Sequence, residues 1–346
     1  MNNKCHLLLL LMVFLLFGCG ERSQLVYDPP VFKNKYQATT EIFNDSFIFT
    51  TCKKILTTEE WVILIDHTMD HMIHLFDKKT GELKLSTGTR GNGPGELIAP
   101  EEFSLDRKRN ILYIHDSAKR RILKYALDKL ICGEKDFFEE ILIGEEIIDF
   151  VTIHFLKDSL FVANGDEHQL NIITPNTIVS SSSEDSCTEP FESQKEWNAF
   201  VNMYAAKSVN PSGDRVVNAT MFGGVMQFYR LSKDLDNVTF YKSCYFYPIR
   251  GQRTSFNFIP NEETTYGFFY IDSTDSYVYA TAFGIKNPVH TPTTIWQLDW
   301  EGNPVAAYET GYHIANFTVD EATNHIYACV YKDDEQVLAV IDLNNK

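Results

Sequence analysis

A short pattern that recurs three times at identical spacing limits the folds open to this chain. Each copy has Phe, any residue, an aliphatic residue and Asp, with Tyr after six further residues; the copies begin at Phe103, Phe269 and Phe317. Phe and the aliphatic residue are two positions apart, so they share one face of a β-strand, whereas Asp begins a polar turn. The pattern predicts β-hairpins, and its recurrence indicates a repeat protein.

A second marker closes a later strand in each repeat: an aliphatic or aromatic residue, usually followed by Asp. The six copies are Phe76-Asp77, Leu127-Asp128, Ile173-Thr174, Leu231-Ser232, Leu298-Asp299 and Ile341-Asp342. Their mean spacing of about 53 residues holds four short strands with turns, which fits a propeller blade better than a solenoid coil. We therefore predict an all-β fold, a six-bladed β-propeller with four-stranded blades.

The two ends of the chain complement each other in this fold. The last repeat stops after its third strand, at residues 337–343, and a strand-like stretch at residues 47–51 precedes the first full repeat. We predict that this stretch supplies the missing outer strand and closes the ring, since closure removes exposed strand edges. The propeller domain is expected over residues 43–346, with a single helix at residues 192–206.

The N-terminus has the features of an export signal. Residues 7–17 are an unbroken apolar run, too short for a transmembrane helix but typical of a signal-peptide core. Gly18 and Cys19 follow, with Leu16 three residues before the cysteine, and this resembles the bacterial lipobox. We expect a signal peptide at residues 1–18, lipid on Cys19 and a tether over residues 19–42. The membrane is then a partner through the lipid, and the expected location is the bacterial cell envelope, at the outer membrane, on either face.

Charge and cysteine usage exclude several kinds of site. The net charge of −16 argues against nucleic acid as a partner, because phosphate recognition needs a basic surface. The seven cysteines show no CxxC spacing, which disfavours a zinc knuckle. Five remain after removal of Cys5 and lipidation of Cys19, and we interpret them as small buried side chains.

A glycine-rich segment at residues 88–97, with the form G-x-R-G-x-G-P-G-E, follows the last strand of the first repeat. Together with the lipobox and the six repeats, it resembles the TolB-like six-bladed propeller lipoproteins of the Bacteroides group. The resemblance implies the propeller fold and an envelope location, but no particular activity. Arg90 and Glu96 are candidate binding residues at the channel mouth; the alternative is that the segment is only an interblade turn.

No catalytic motif is recognisable, since neither G-x-S-x-G nor HExxH occurs. His67, His71 and His74 are grouped in sequence, but on a hairpin they would not converge on a metal. No cofactor is predicted, although calcium in the channel stays open. We expect a non-enzymatic binding platform for a protein or glycan partner; the alternative is a metal-dependent hydrolase of the lactonase type with a divalent cation in the channel.

Overall fold

The computed structural model describes residues 25–134, 137–147, 152–165, 167–182, 191, 193–254, 257–286, 288 and 291–344. The expected signal peptide and Cys19 lie outside these residues. Within these ranges, no helix has the length and apolar character needed to cross a membrane.

The described residues form 27 strands, two α-helices and two short 3₁₀ helices. In chain order the strands are β1 (Lys35–Gln37), β2 (Thr39–Phe49), β3 (Lys54–Thr57), β4 (Trp61–Ile65), β5 (His71–Asp77), β6 (Leu83–Thr89), β7 (Pro100–Asp106), β8 (Ile111–Asp116), β9 (Arg121–Ala126), β10 (Phe138–Leu142), β11 (Ile153–Lys157), β12 (Leu160–Ala163), β13 (Asn171–Ile173), β14 (Ile178–Ser181), β15 (Ala205–Val209), β16 (Arg215–Thr220), β17 (Gly224–Leu231), β18 (Val238–Tyr247), β19 (Gln252–Arg253), β20 (Phe258–Ile259), β21 (Tyr266–Ser273), β22 (Tyr277–Ile285), β23 (Thr294–Asp299), β24 (Pro304–Glu309), β25 (His313–Asp320), β26 (His325–Lys332) and β27 (Glu335–Asp342). The helices are α1 (Leu127–Ile131) and α2 (Gln194–Tyr204), and the 3₁₀ helices are Ser117–Lys119 and Glu145–Ile147.

Six antiparallel sheets form the blades of the propeller. Blades 1 to 5 each contain four strands that are consecutive in the chain: β3–β6, β7–β10, β11–β14, β15–β18 and β21–β24. Blade 6 contains β25–β27 and β2. The first strands of neighbouring blades contact one another at five of the six junctions, namely those between blades 1 and 2, 2 and 3, 4 and 5, 5 and 6, and 6 and 1, so these strands line the axis of the ring. The predicted six-bladed, four-stranded architecture is confirmed.

The repeat markers correspond to fixed places in the blades. Five of the six strand-closing positions lie at the end of a third strand, as Phe76 does in β5 and Ile341 in β27. Leu127 is the exception, because β9 ends one residue earlier and Leu127 begins α1. The three Phe-initiated copies all lie on first strands that lead into second strands.

Six apolar cores lie between the blades, one for each pair of neighbours around the ring. The core between blades 1 and 2 contains Ile63 and Phe103, and the core between blades 6 and 1 contains Leu338 and Phe76. The other four cores join blades 2 and 3, 3 and 4, 4 and 5, and 5 and 6. Each sheet is therefore buried on both faces, which explains the near-continuous apolar runs in its middle strands.

The N-terminal strand completes blade 6. Strand β2 pairs antiparallel with β27, from the Thr39–Asp342 pair to the Phe49–Gln336 pair. The closing strand was predicted at residues 47–51, but β2 begins earlier and ends at Phe49, and its register with β27 lies mainly over residues 39–44. Strand β1 adds in parallel to β24 at the edge of blade 5.

Residues 19–42 were expected to form a tether, but the C-terminal part of this segment packs against the propeller. The Phe32 ring packs 5.3 Å from the Trp296 ring in the core between blades 4 and 5. Further upstream, the Asp28 amide donates to the Tyr245 carbonyl at 2.9 Å. The buried aromatic ring draws the chain onto the propeller before residue 43.

The predicted helix is present as α2, slightly shorter than residues 192–206. The Ser193 hydroxyl accepts a hydrogen bond from the Glu196 amide and caps its N-terminus. Its apolar side chains Trp197, Phe200 and Val201 pack in a separate outer cluster.

The sequence interpretation of the cysteines as small buried side chains holds for only some of them. Cys52 and Cys329 are buried together in the core between blades 6 and 1, and burial raises the pKa of the Cys329 thiol. Cys244 is half-buried, whereas Cys132 is exposed just after α1. Cys187 lies outside the described residues. The four described thiols are free.

We expect Phe76→Ala to destabilise the protein by about 3–5 kcal/mol, because the Phe76 side chain is fully buried where blade 1 meets blade 6. Urea unfolding of the native and variant proteins measures this change. Leu142→Ala is the control, since Leu142 is 67% exposed, and it should change stability by less than about 0.5 kcal/mol. Equal effects of the two variants would contradict the interblade core.

Candidate functional site

Two cavities lie on the axis of the propeller. The larger has a volume of about 610 Å³ and is lined by the first strands of blades 1 to 5 and the turns that follow β7, β11 and β15. The smaller, of about 180 Å³, is lined mainly by the starts of first strands. The volume of the larger cavity falls within the range of small-molecule sites.

A layer of charged side chains separates the two cavities. Lys54, Glu102, His154 and Lys207 lie on the first strands of blades 1, 2, 3 and 4. The two lysines line both cavities, whereas His154 lines only the larger one and Glu102 only the smaller one. Lys54, Lys207 and His154 therefore border the floor of the larger cavity, while Glu102 and the two hydrogen-bond acceptors of Lys207, Thr152 and Asn164, line the smaller one.

Glu102 is the centre of a small ion-pair network. Its Oε1 atom lies 3.6 Å from Lys54 Nζ and 3.5 Å from His154 Nδ1. Burial alone would raise the pKa of Glu102, but the neighbouring Lys54 and His154 outweigh it and hold the pKa well below its usual range. Burial lowers the pKa of His154 despite its contact with Glu102, which acts in the opposite direction.

Lys207 has different partners. Its ammonium donates to Thr152 Oγ1 at 2.9 Å and to Asn164 Oδ1 at 3.2 Å, and both acceptors are neutral. Within the described ranges, no carboxylate lies within ion-pair distance of this ammonium. Burial, reinforced by the nearby positive charge of Lys54, lowers the pKa of Lys207 to about 8 against the attraction of Glu102.

The walls of the larger cavity are rich in cations. Six cationic side chains line it, namely Lys54, Arg107, Lys108, Arg109, Lys157 and Lys207, against three carboxylates, Asp106, Asp158 and Asp272. Two of the carboxylates already have partners: Asp106 pairs with Arg109 at 2.5 Å, and Asp272 accepts from the Val319 amide and the Thr318 hydroxyl. The cavity is thus electropositive in a protein of net charge −16.

The glycine-rich segment forms a tight connection between β6 and β7. The Glu96 carboxylate folds back and accepts from the Gly93 amide at 2.6 Å, and a Cβ atom at Gly91 would lie 2.2 Å from the Glu96 carboxylate. Lys119 and Arg121 of blade 2 donate to the Glu96 carbonyl. These contacts explain the glycines at close approach and join blades 1 and 2.

The sequence-predicted binding residues lie away from the axial cavities. The Arg90 guanidinium donates to the His67 carbonyl, and Glu96 is held within its own loop. Neither residue lines either axial cavity. Both have local structural partners, and their role in ligand binding stays a prediction.

The histidines of the β4–β5 hairpin do not converge. His74 is buried on β5 with Nδ1 2.8 Å from Ser86 Oγ, His71 is exposed at the start of β5, and His67 lies in the turn. Burial lowers the pKa of His74 to about 4. Over the part of the chain that the structure describes, no group of three or more His, Cys, Asp or Glu side chains could hold a metal ion.

Sequence analysis missed the charged layer, although the sequence contains a signal for it. Lys54, Glu102, His154 and Lys207 follow one another at intervals of about 50 residues, which is the length of one blade. Each is a charged or titratable residue within a short β segment, as Lys207 is in Ala205–Val209. Charged residues at the blade period indicate positions that the ring brings to its axis.

We expect Glu96→Ala to lower stability by about 1–2 kcal/mol, because the Gly93 amide loses its acceptor. Glu96→Gln retains a side-chain oxygen and should lose less than half as much. Urea unfolding at pH 7 measures both variants. Equal losses would show that the hydrogen bond does not stabilise the loop.

Lys207→Met should be more stable than the native protein at pH 7, by an amount that shrinks between about pH 8 and 10.5. The pKa of Lys207 is about 8 in the folded protein, which is below its value in the unfolded chain. Between these two values the unfolded chain of the unmutated protein binds more protons than the folded protein, so the stability of the unmutated protein rises with pH. Urea unfolding at pH 7, 8, 9 and 10 measures the difference. The exposed-site variant Lys35→Met is the control, and a pH-independent advantage of Lys207→Met would contradict the prediction.

Comparison with known proteins supports the fold. The model of a family described as 6-bladed beta-propeller, DUF5128, matches residues 43–170. A solved protein from Bacteroides fragilis NCTC 9343, provisionally named as exported, aligns over 89% of this chain and 98% of its own with a TM-score of 0.54 and 13% identity. A member of the DUF4221 family from Bacteroides vulgatus ATCC 8482 aligns over 90% of this chain and 97% of its own, with a TM-score of 0.54 and 10% identity.

Identities this low show the fold alone. Among curated proteins, none matches the sequence significantly. The family match and the two Bacteroides structures support the six-bladed propeller fold, whereas the TolB-like resemblance stays a prediction. The chain is an all-β, six-bladed β-propeller with four-stranded blades.

Proposed function

We propose that this protein is an exported, lipid-anchored binding platform that receives part of a protein or glycan partner in its larger axial cavity. The observation that carries the proposal is the 610 Å³ cavity, into which polar side chains converge from five blades. Concave sites with a few convergent polar groups are the usual form of a ligand site. The rigid first strands hold these groups in place before any ligand arrives.

Export and anchoring are supported by the N-terminal sequence. The apolar run at residues 7–17 and the Gly18-Cys19 pair fit a lipoprotein signal. The similar Bacteroides fragilis protein is named as exported. Lipid on Cys19 would hold the propeller at the outer membrane, connected by the short segment that precedes the first propeller contacts near Asp28.

The charge of the cavity favours binding over the hydrolase alternative. A lactonase-type site would need carboxylates that converge on a divalent cation. The floor here instead presents Lys54, Lys207 and His154, and the Asp272 carboxylate is occupied by protein donors. Cationic side chains at the floor repel a divalent cation.

Hydrogen exchange with a bound ligand tests the platform role. The mature protein is screened by calorimetry against neutral and acidic oligosaccharides and unstructured peptides, and the tightest binder is used for exchange. We expect protection at residues 106–110, 157–158 and 210–213, the turns at the cavity mouth, and recovery of the ligand unchanged.

Three outcomes would contradict the platform proposal. Protection confined to other surfaces would place the site elsewhere. Release of a product in the presence of Ca²⁺ or Zn²⁺ would favour the hydrolase. Failure of every compound in the panel to bind would contradict a ligand role for the cavity.

A further inference from the structure

The starting observation is Lys207, a partly buried cation that lines both axial cavities and has no carboxylate at ion-pair distance among the described residues. The Lys207 ammonium has three N–H donors, of which two are used by the neutral oxygens of Thr152 and Asn164. A buried charge is costly unless it is paired. No carboxylate of the described residues is within ion-pair distance of Lys207, and Glu102 faces the smaller cavity, where it pairs with Lys54. An anion in the larger cavity would supply the missing counterion.

The surroundings of Lys207 favour an anion further. The mouth of the same cavity contains the exposed cations Arg107, Lys108 and Lys157. Cations outnumber carboxylates in the lining of this cavity, and an excess of one sign of charge concentrates ions of the opposite sign.

The size and polarity of the cavity point to the rest of the ligand. At about 610 Å³ the cavity is much larger than an inorganic ion. Ser104, Ser208, Asn210, Ser212 and Ser273 line it beside the cations and offer hydroxyl and amide groups. Such groups suit a hydroxyl-rich ligand.

We propose that Lys54 and Lys207 form an anion-binding site at the floor of the larger cavity, which takes the carboxylate, sulfate or phosphate group of an acidic sugar. This inference rests on the proposed platform function and specifies its ligand. His154 lines the same cavity beside the two lysines, so its ring adds a polar contact.

Calorimetric titration at low ionic strength with glucuronate, glucose 6-sulfate, glucose 6-phosphate and glucose tests the proposal. We expect at least one acidic sugar to bind more tightly than glucose, and the tightest of the three identifies the anionic group. Lys207→Met should weaken its binding on the order of 10- to 100-fold, the usual value of a hydrogen bond to a charged group. Lys54→Met should also weaken it.

Glu102→Gln should change the affinity for the acidic sugar in the opposite direction. It removes the carboxylate that pairs with Lys54, so the acidic sugar should bind severalfold more tightly. Lys35→Met, on the outer edge of blade 5, removes the same charge as Lys207→Met and should leave affinity unchanged. The melting temperature of each variant checks that it is folded.

The outcomes separate this inference from the platform function. If no acidic sugar binds more tightly than glucose, or if Lys207→Met and Lys35→Met bind equally well, the anion site is wrong. The platform function survives that result if a neutral ligand still protects the turns of the cavity mouth from hydrogen exchange. Acidic sugar binding without protection of those turns would overturn both.

Discussion

Apolar burial between neighbouring blades is the interaction on which the rest of this structure depends. No blade can bury both faces of its sheet alone, and each of the six cores needs side chains from two blades. The core between blades 6 and 1 joins the two ends of the chain, since Phe76 belongs to the first blade and Leu338 to the last. The pairing of β2 with β27 adds backbone hydrogen bonds at the same place and covers an edge that would otherwise be exposed.

The same constraint produces the candidate site. Because the first strand of every blade faces the axis, one residue from each blade can meet its counterparts from positions about 50 residues away. Lys54, Glu102, His154 and Lys207 meet in this way. The cores hold these strands in place, so the charged side chains stay close together in a partly buried layer at the axis. This explains how Lys207 keeps a depressed pKa and neutral hydrogen-bond partners inside an acidic protein.

The glycine-rich segment illustrates how a specific motif can serve the fold. Its charged residues were predicted to bind a ligand. In the structure, the Glu96 carboxylate accepts a hydrogen bond from the Gly93 amide, and the Arg90 guanidinium donates one to the His67 carbonyl. The glycines permit this close approach, and the Glu96 carbonyl receives Arg121 from the next blade. A motif can therefore be distinctive because it connects two blades, whereas the cavity residues carry no local motif at all.

The sequence by itself determined the number of blades, the strands within them and the identity of the last helix. Strand alternation and turn residues act over a few positions, and the six markers such as Phe76-Asp77 repeat that local information along the chain. Only the tertiary structure decided which charged residues meet, because proximity across the axis depends on the direction in which each first strand faces. It also decided that Phe32 packs into the core between blades 4 and 5, since an aromatic residue outside the repeats does not reveal its contacts. Local patterns fix elements, whereas the burial shared by six blades fixes the site.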